Sequence, residues 1–153
     1  MIEPGAEAPD FTLPNQDGED VALGALLDRK LVLAFYPADF SPVCTDQLSV
    51  YEQVMPQIAE QGARVVGISV DSIWSHKAFQ EKLGISIPLL SDFHPKGEVT
   101  QAYGAYIAER GHPNRSLVLI DERRVVRWVH ESESPLEIPG ANLIFDALDS
   151  LAD

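Results

Sequence analysis

The chain has 153 residues, 45% of them hydrophobic, which is one domain's worth of sequence and enough apolar material for a core without a metal or a disulfide. A formal net charge of −13, from 24 acidic and 11 basic residues, sets the surface against phosphate backbones and anionic lipid, so neither nucleic acid nor a membrane is expected as a partner. The single cysteine excludes an internal disulfide. The opening MIEPGAEAPD lacks the basic and apolar regions of a secretory signal. No apolar run approaches the ~18 residues of a membrane span, and the expected location is the cytoplasm.

Residues 1–153 read as one domain, with no repeat, low-complexity tract or linker. Phe11–Leu13 and Asp20–Ala22 are short extended pieces around the turn signal Pro14-Asn15-Gln16-Asp17-Gly18, which predicts a hairpin. Leu31–Tyr36 is a continuous apolar run suited to a strand buried on both faces. Leu48, Tyr51, Met55 and Ile58 then recur at helical spacing, with Pro56 expected to kink or break the helix and Gly62 to end it. Arg64–Val70 is a second buried strand. Asp71 or Ser72 can cap a helix running to about Leu83, with Gly84 just beyond and Ile73, Phe79 and Leu83 on the inner face. Leu89-Leu90 reads as an edge strand or extended loop, and Glu98–Tyr103 as a short helix. Arg115–Ile120 and Val125–Val129 are strands joined by the polar turn Asp121–Arg124, and Ala141–Leu151 is a helix with Leu143, Ile144, Ala147 and Leu148 as its stripe. The β-α-β crossover makes its strands parallel, whereas the late hairpin adds antiparallel ones. The order implies an α/β fold with a mixed central sheet, helices on both faces and an N-terminal β-hairpin extension, the thioredoxin-like layout among other α/β layouts.

The stretch YPADFSPVCT, Tyr36 to Thr45, lies where a buried strand ends and a helix begins, the edge that ligand sites favour in α/β sheets. Ser41-Pro42 is a helix-start signal, a good N-cap followed by proline at the first helical position. Cys44 is then the third helical residue, where unpaired amides and the positive end of the helix dipole favour a thiolate. Without that context a lone cysteine is a small buried hydrophobe, and Arg115 a strand-end arginine in solvent.

Pro37, Ser41 and Cys44 stand in the spacing of the peroxiredoxin signature, and FYPADFSPVCTDQL resembles that family's active-site segment over its whole length. IPLLSDFHPKGEVTQAYG and Asn114-Arg115 are also similar to peroxiredoxins, and the likeness runs from Glu7-Ala8-Pro9-Asp10-Phe11 to the Asp121 hairpin. The chain resembles the AhpE-like one-cysteine group, of the alkyl hydroperoxide reductase/thiol-specific antioxidant type. The resemblance implies a thioredoxin-like fold and a role for each matching residue. Cys44 would be the peroxidatic thiolate and attack the terminal peroxide oxygen. Ser41 would hydrogen-bond the peroxide and the sulfur, and Pro37 would shield the thiolate from water. Arg115 would pair with the thiolate and stabilise charge moving onto the oxygens, as an always-protonated multiple donor can.

The chain also departs from the family. Gln47 stands three residues after Cys44, so the Cys-x-x-Cys of thioredoxins is absent. Many peroxiredoxins carry glutamate at this place; a neutral amide can still bond Arg115, without charge assistance. Some relatives carry a second active-site arginine near the last helix, and Leu136–Leu143 contains none. A resolving cysteine five residues after the first would fall at Ser49, so resolution must come from outside the chain.

The expected activity is reduction of hydrogen peroxide and organic hydroperoxides through a sulfenic acid at Cys44, resolved by an external thiol. That thiol would be a low-molecular-weight thiol or a thioredoxin/glutaredoxin-like protein. No metal, haem, flavin or other cofactor is required, and the resemblance implies a homodimer. One alternative is a peroxide-sensing or thiol-binding module of the same fold without efficient turnover. Another is a non-redox cysteine enzyme, which needs a histidine base that PADFSPVCT does not supply. His76, His94, His112 and His130 lack the close spacings of common metal motifs and are expected at the surface or in loops, and Trp74 and Trp128 are expected to pack.

Overall fold

The computed structural model describes residues 1–134 and 136–151. β1 (Thr12–Pro14) and β2 (Asp20–Ala22) form the N-terminal hairpin, with Leu13 opposite Val21. Its turn is held by Asn15, whose side-chain oxygen accepts from the amides of Asp17 and Glu19 at 2.9 and 3.0 Å. A 3₁₀ turn over Leu23–Leu26 leads to β3 (Lys30–Phe35).

The crossover from β3 to β4 (Ala63–Ser69) carries two helices, α1 (Pro42–Gln53) and α2 (Met55–Glu60). The break at Val54 puts Pro56 in the first turn of α2, where a missing amide leaves no hydrogen bond unmade. α3 (Ile73–Leu83) then leads to the edge strand β5 (Leu89–Ser91). Ser72 caps α3 by accepting from the Ser75 amide, and Gly84 closes it at φ 65°, a left-handed angle costly for any residue with a Cβ. After α4 (Glu98–Ala102), a hairpin of two residues per strand, β6 (Tyr106–Ile107) and β7 (His112–Pro113), lies in a stretch to which the sequence reading assigns no element. β8 (Ser116–Ile120), β9 (Val126–Glu131) and α5 (Ala141–Leu151) complete the chain.

The central sheet has the order β5-β4-β3-β8-β9. β3, β4 and β5 run parallel, β8 antiparallel to β3, and β9 antiparallel to β8. Alternation along the strands separates two cores. Val32, Ala34, Val65, Leu117 and Leu119 meet Leu48, Tyr51, Ile58, Phe79, Ile144 and Leu148, so α1, α2, α3 and α5 share one face. Leu31, Leu33, Phe35, Val66, Ile68, Val118 and Ile120 meet Phe11, Leu13, Leu23, Leu26 and Tyr103 on the other, with Val99 of α4 packed against them. At Gly67 a Cβ would come within 2.9 Å of Leu89 and 3.0 Å of the Tyr36 ring, so the glycine admits the tyrosine against the sheet.

This topology gathers the site at one edge. The carboxyl end of β3 feeds the loop into α1. Because β8 is antiparallel to β3, its amino end lies at the same edge, with Phe35 opposite Ser116. Arg115, one residue before Ser116, is brought to the start of α1 across 71 residues of sequence.

Candidate active site

The loop from β3 to α1 begins with buried Tyr36 and Pro37 and ends at Ser41. Ser41 has extended backbone angles (φ −66°, ψ 143°), and its Oγ accepts from the Cys44 amide at 3.1 Å. One of the helix's orphan donors is thereby satisfied, and Cys44 becomes the third residue of α1, as the sequence predicts. Cys44 is wholly buried.

Arg115 is buried as well, at 1% exposure, among the largest enclosed side chains of the fold. Its Nη2 donates to Cys44 Sγ at 3.2 Å, and its Nη1 donates to Gln47 Oε1 in a short hydrogen bond. The neutral amide at 47 therefore does engage the arginine. Gln47 Nε2 in turn donates to Tyr51 Oη at 3.0 Å, and Tyr51 Oη donates to the Pro139 carbonyl at 2.6 Å. Burial pushes the Tyr51 phenol up to about 12, against the opposing pull of the Gln47 hydrogen bond and the Arg115 charge, so it stays a donor at ordinary pH. Tyr51 was legible in the sequence as a helix-face residue; its hydroxyl's partner is 88 residues away and was not.

A second polar cluster holds the loop from behind. Tyr36 Oη donates to Asp39 Oδ1 at 2.6 Å, Ser75 Oγ donates to Asp39 Oδ2 at 2.8 Å, and His76 Nδ1 lies 2.8 Å from the same oxygen. His76 Nε2 donates to the Leu90 carbonyl at 3.0 Å, since a carbonyl can only accept. The Asp39 amide donates to Asp71 Oδ2 at 2.9 Å, tying the loop to the end of β4. Burial, then the nearby Asp39 charge and hydrogen bond, raise the Tyr36 phenol well above its ordinary range, so it too is a fixed donor. Asp39, Asp71 and His76 place ligand-type atoms within 4.8 Å of one another, but both His76 nitrogens are committed to hydrogen bonds within the fold. Between Asp39 and the Ser41 cap, Phe40 takes a left-handed backbone at φ 68°, an unusual angle for an aromatic residue, with its ring 5.0 Å from that of Phe79. Surrounding contacts thus impose the bend that delivers the chain into α1.

Two expectations are corrected here. His76 is not a surface or loop residue but fully buried on α3. The signal was present: it lies three residues after Ile73 and three before Phe79, on the face assigned to the core. His94 is exposed, and His112 and His130 are half-buried. Trp128 packs against the core, but Trp74 is 80% exposed and packs on nothing comparable, because α3 turns it away from the face that carries His76 and Phe79.

The sequence profile described as the AhpC/TSA family matches residues 4–129. The chain belongs to the AhpC/TSA family. Within it, this AhpC/TSA protein is 34% identical over 152 residues to alkyl hydroperoxide reductase E of Mycobacterium tuberculosis, covering 99% of each chain. It is 36% identical over 134 residues to a protein of Coxiella burnetii named putative peroxiredoxin bcp, covering 84% of this chain and 87% of that one. Among solved structures, the crystal structure of the peroxidoxin BcpB from Mycobacterium tuberculosis superposes with a TM-score of 0.88 at 31% identity over the full length of both chains. The AhpC of Enterococcus faecalis has a TM-score of 0.90 at 23% identity over 99% of this chain and 93% of that one, a likeness of fold. The thioredoxin-like peroxiredoxin architecture expected from the sequence is therefore the observed one.

Proposed function

We propose that this protein is a one-cysteine thiol peroxidase, with Cys44, Ser41, Pro37 and Arg115 as its site, acting on hydrogen peroxide and organic hydroperoxides. The observation that carries the reading is the Arg115 guanidinium donating to the sulfur of a cysteine at a capped helix start, in a buried setting. The sulfur of Cys44 attacks the terminal oxygen of ROOH. The S–O bond forms as the O–O bond breaks, and the leaving oxygen takes up a proton as ROH. Sulfur is oxidised to sulfenic acid and the peroxide is reduced. Negative charge moves from sulfur to the departing oxygen during this step, and a fixed guanidinium beside the sulfur needs no reorganisation to follow it. Ser41 spends one lone pair on the Cys44 amide and keeps its O–H to donate to a bound peroxide oxygen. Pro37, buried and without an amide donor, keeps the loop closed to water.

An external thiol completes the cycle. It condenses with the sulfenic acid to give a mixed disulfide and water, and a second thiol releases Cys44 as its thiol together with the external disulfide. The reductant is a low-molecular-weight thiol or a thioredoxin/glutaredoxin-like protein. We place the enzyme in the cytoplasm as a homodimer of single-domain chains spanning residues 1–153. Among the described residues no helix is long and apolar enough to cross a membrane.

Intact mass spectrometry under denaturing, non-reducing conditions tests the mechanism. One equivalent of peroxide should leave a sulfenic acid that persists and can be labelled, because Cys44 is the only cysteine. Excess peroxide should add one, two and then three oxygens, and a small thiol should divert the adduct to a mixed disulfide. A quantitative Cys44–Cys44 dimer, or an unmodified chain, would refute the one-cysteine cycle. Turnover with a panel of candidate thiols separates an enzyme from a peroxide sensor, which oxidises but does not cycle.

A further inference from the structure

We propose that Gln47 and Tyr51 are positioning residues for Arg115. In this proposal the neutral amide at 47 sets the direction of a hydrogen-bond chain, Arg115 to Gln47 to Tyr51 to Pro139, that fastens the segment between β9 and α5 to the arginine beside Cys44. The inference rests on the peroxidase reading for its kinetic part alone; the chain stands on geometry.

The direction follows from the two ends. Arginine has only donors, so the Gln47 atom facing it is the carbonyl oxygen. A backbone carbonyl only accepts, so the Tyr51 proton points at Pro139. The middle link is then forced: the Gln47 amide nitrogen donates to a Tyr51 lone pair at 3.0 Å. Gln47, Tyr51 and Arg115 are each at most 1% exposed, so water cannot substitute for a lost partner. The phenol is held protonated by its burial, as the chain requires.

A carboxylate at 47 would not do the same. Glutamate accepts only, so it would take protons from both Arg115 and Tyr51, and the buried Pro139 carbonyl would lose its donor. Of the two isosteric side chains, only the amide passes the link onward. The segment's other end meets the same arginine, because the Ser132 amide donates to the Arg115 carbonyl at 3.0 Å. Residues 132 and 139 are thus both fastened to Arg115, one through its backbone and one through the Gln47–Tyr51 chain. Fixing Nη1 on Gln47 also places Nη2 on the sulfur, because the guanidinium is rigid and planar.

The test uses the full chain with Tyr51→Phe, Gln47→Glu and Gln47→Met. Hydrogen–deuterium exchange of the reduced protein reads the tether, and stopped-flow oxidation of Cys44 by hydrogen peroxide reads the positioning. Tyr51→Phe and Gln47→Glu should each raise exchange at the amides beside Pro139, Leu136 to Ile138 and Gly140, by about tenfold, the scale of one lost buried hydrogen bond, while amides of β3 and β4 keep their protection. Tyr51→Phe and Gln47→Met should each slow oxidation by about tenfold, and the double variant should be no slower than the slower single one, as for members of one chain. Gln47→Glu is the deciding variant: it keeps the size and shape of the side chain and removes only its N–H donors, so it ought to tighten the grip on Arg115 while loosening the distant segment. Unchanged exchange in Gln47→Glu overturns the proposed direction. Unchanged oxidation in Tyr51→Phe, or additive losses in the double variant, overturns the positioning role. The exchange readings do not depend on turnover, so a protein that failed to reduce peroxides would sink the peroxidase reading and leave the tether to be judged on its own.

Discussion

Arg115→Ala is expected to slow the reaction of Cys44 with peroxide by about 10²–10³, the loss typical of removing one donor aimed at developing charge. The effect should appear in the second-order rate constant for oxidation, measured by stopped flow, because the guanidinium acts on sulfur and oxygen during transfer. Two consequences of the substitution reinforce each other. The donor to Cys44 Sγ is lost, and Gln47 Oε1 is left without the partner it has now. Arg115→Lys should recover only part of the rate. A lysine offers a point charge on a flexible stem and cannot hold Gln47 and the sulfur with two coplanar nitrogens. Circular dichroism should show the fold retained, since the β8 pairing with β3 and β9 begins one residue later, at Ser116. A folded Arg115→Ala protein with a near-normal rate would mean that the charge is stabilised elsewhere.

What the sequence made legible was local. The apolar run Leu31–Tyr36, the Ser41-Pro42 start of α1, the Pro56 break and the Gly84 cap each rest on a few neighbouring residues; β3 lies one residue earlier than the run, the others appear where the chain chemistry put them, and of the two caps offered for α3 the fold uses Ser72 rather than Asp71. The contacts that complete the site are not local. Arg115 and Cys44 are 71 positions apart, Tyr51 and Pro139 are 88 apart, and Asp39 and His76 are 37 apart. Periodicity reports which face of a helix is buried, not which polar tip on that face finds a partner, so Tyr51 read as packing. His76 was misjudged because histidine is treated as a surface residue by type, although its position on α3 marked it as inward. The β6–β7 hairpin escaped because two residues per strand carry no alternation to detect. Resemblance to a family supplied the pairing of Arg115 with Cys44 in advance; neither position nor spacing could.

His76→Leu is expected to destabilise the fold by about 3–5 kcal/mol, the scale for removing one partner of a buried pair. Leucine has similar bulk, so the loss is mainly polar rather than a cavity. It leaves the Leu90 carbonyl without its donor and Asp39, whose side chain is fully enclosed, without its closest basic neighbour. Tyr36 and Ser75 still donate to the carboxylate, which is why the loss should not exceed that range. In a protein of this length each kcal/mol lowers the melting temperature by roughly 2–4 °C, so a drop of about 6–20 °C should be seen by calorimetry. The consequence should reach Cys44 as well. Asp39 immediately precedes the left-handed Phe40 and the Ser41 cap, and its amide is tied to Asp71. Loosening its carboxylate frees a bend that is unfavourable in isolation, and with it the helix start that places the sulfur. Oxidation of Cys44 should therefore slow in His76→Leu at temperatures well below its melting point. Pairing the change with Asp39→Asn should cost less than the sum of the two single changes, because the buried carboxylate and its partner leave together. A His76→Leu protein within about 1 kcal/mol of the parent would show that Tyr36 and Ser75 suffice to hold Asp39, and that the histidine is not what secures the loop before Cys44.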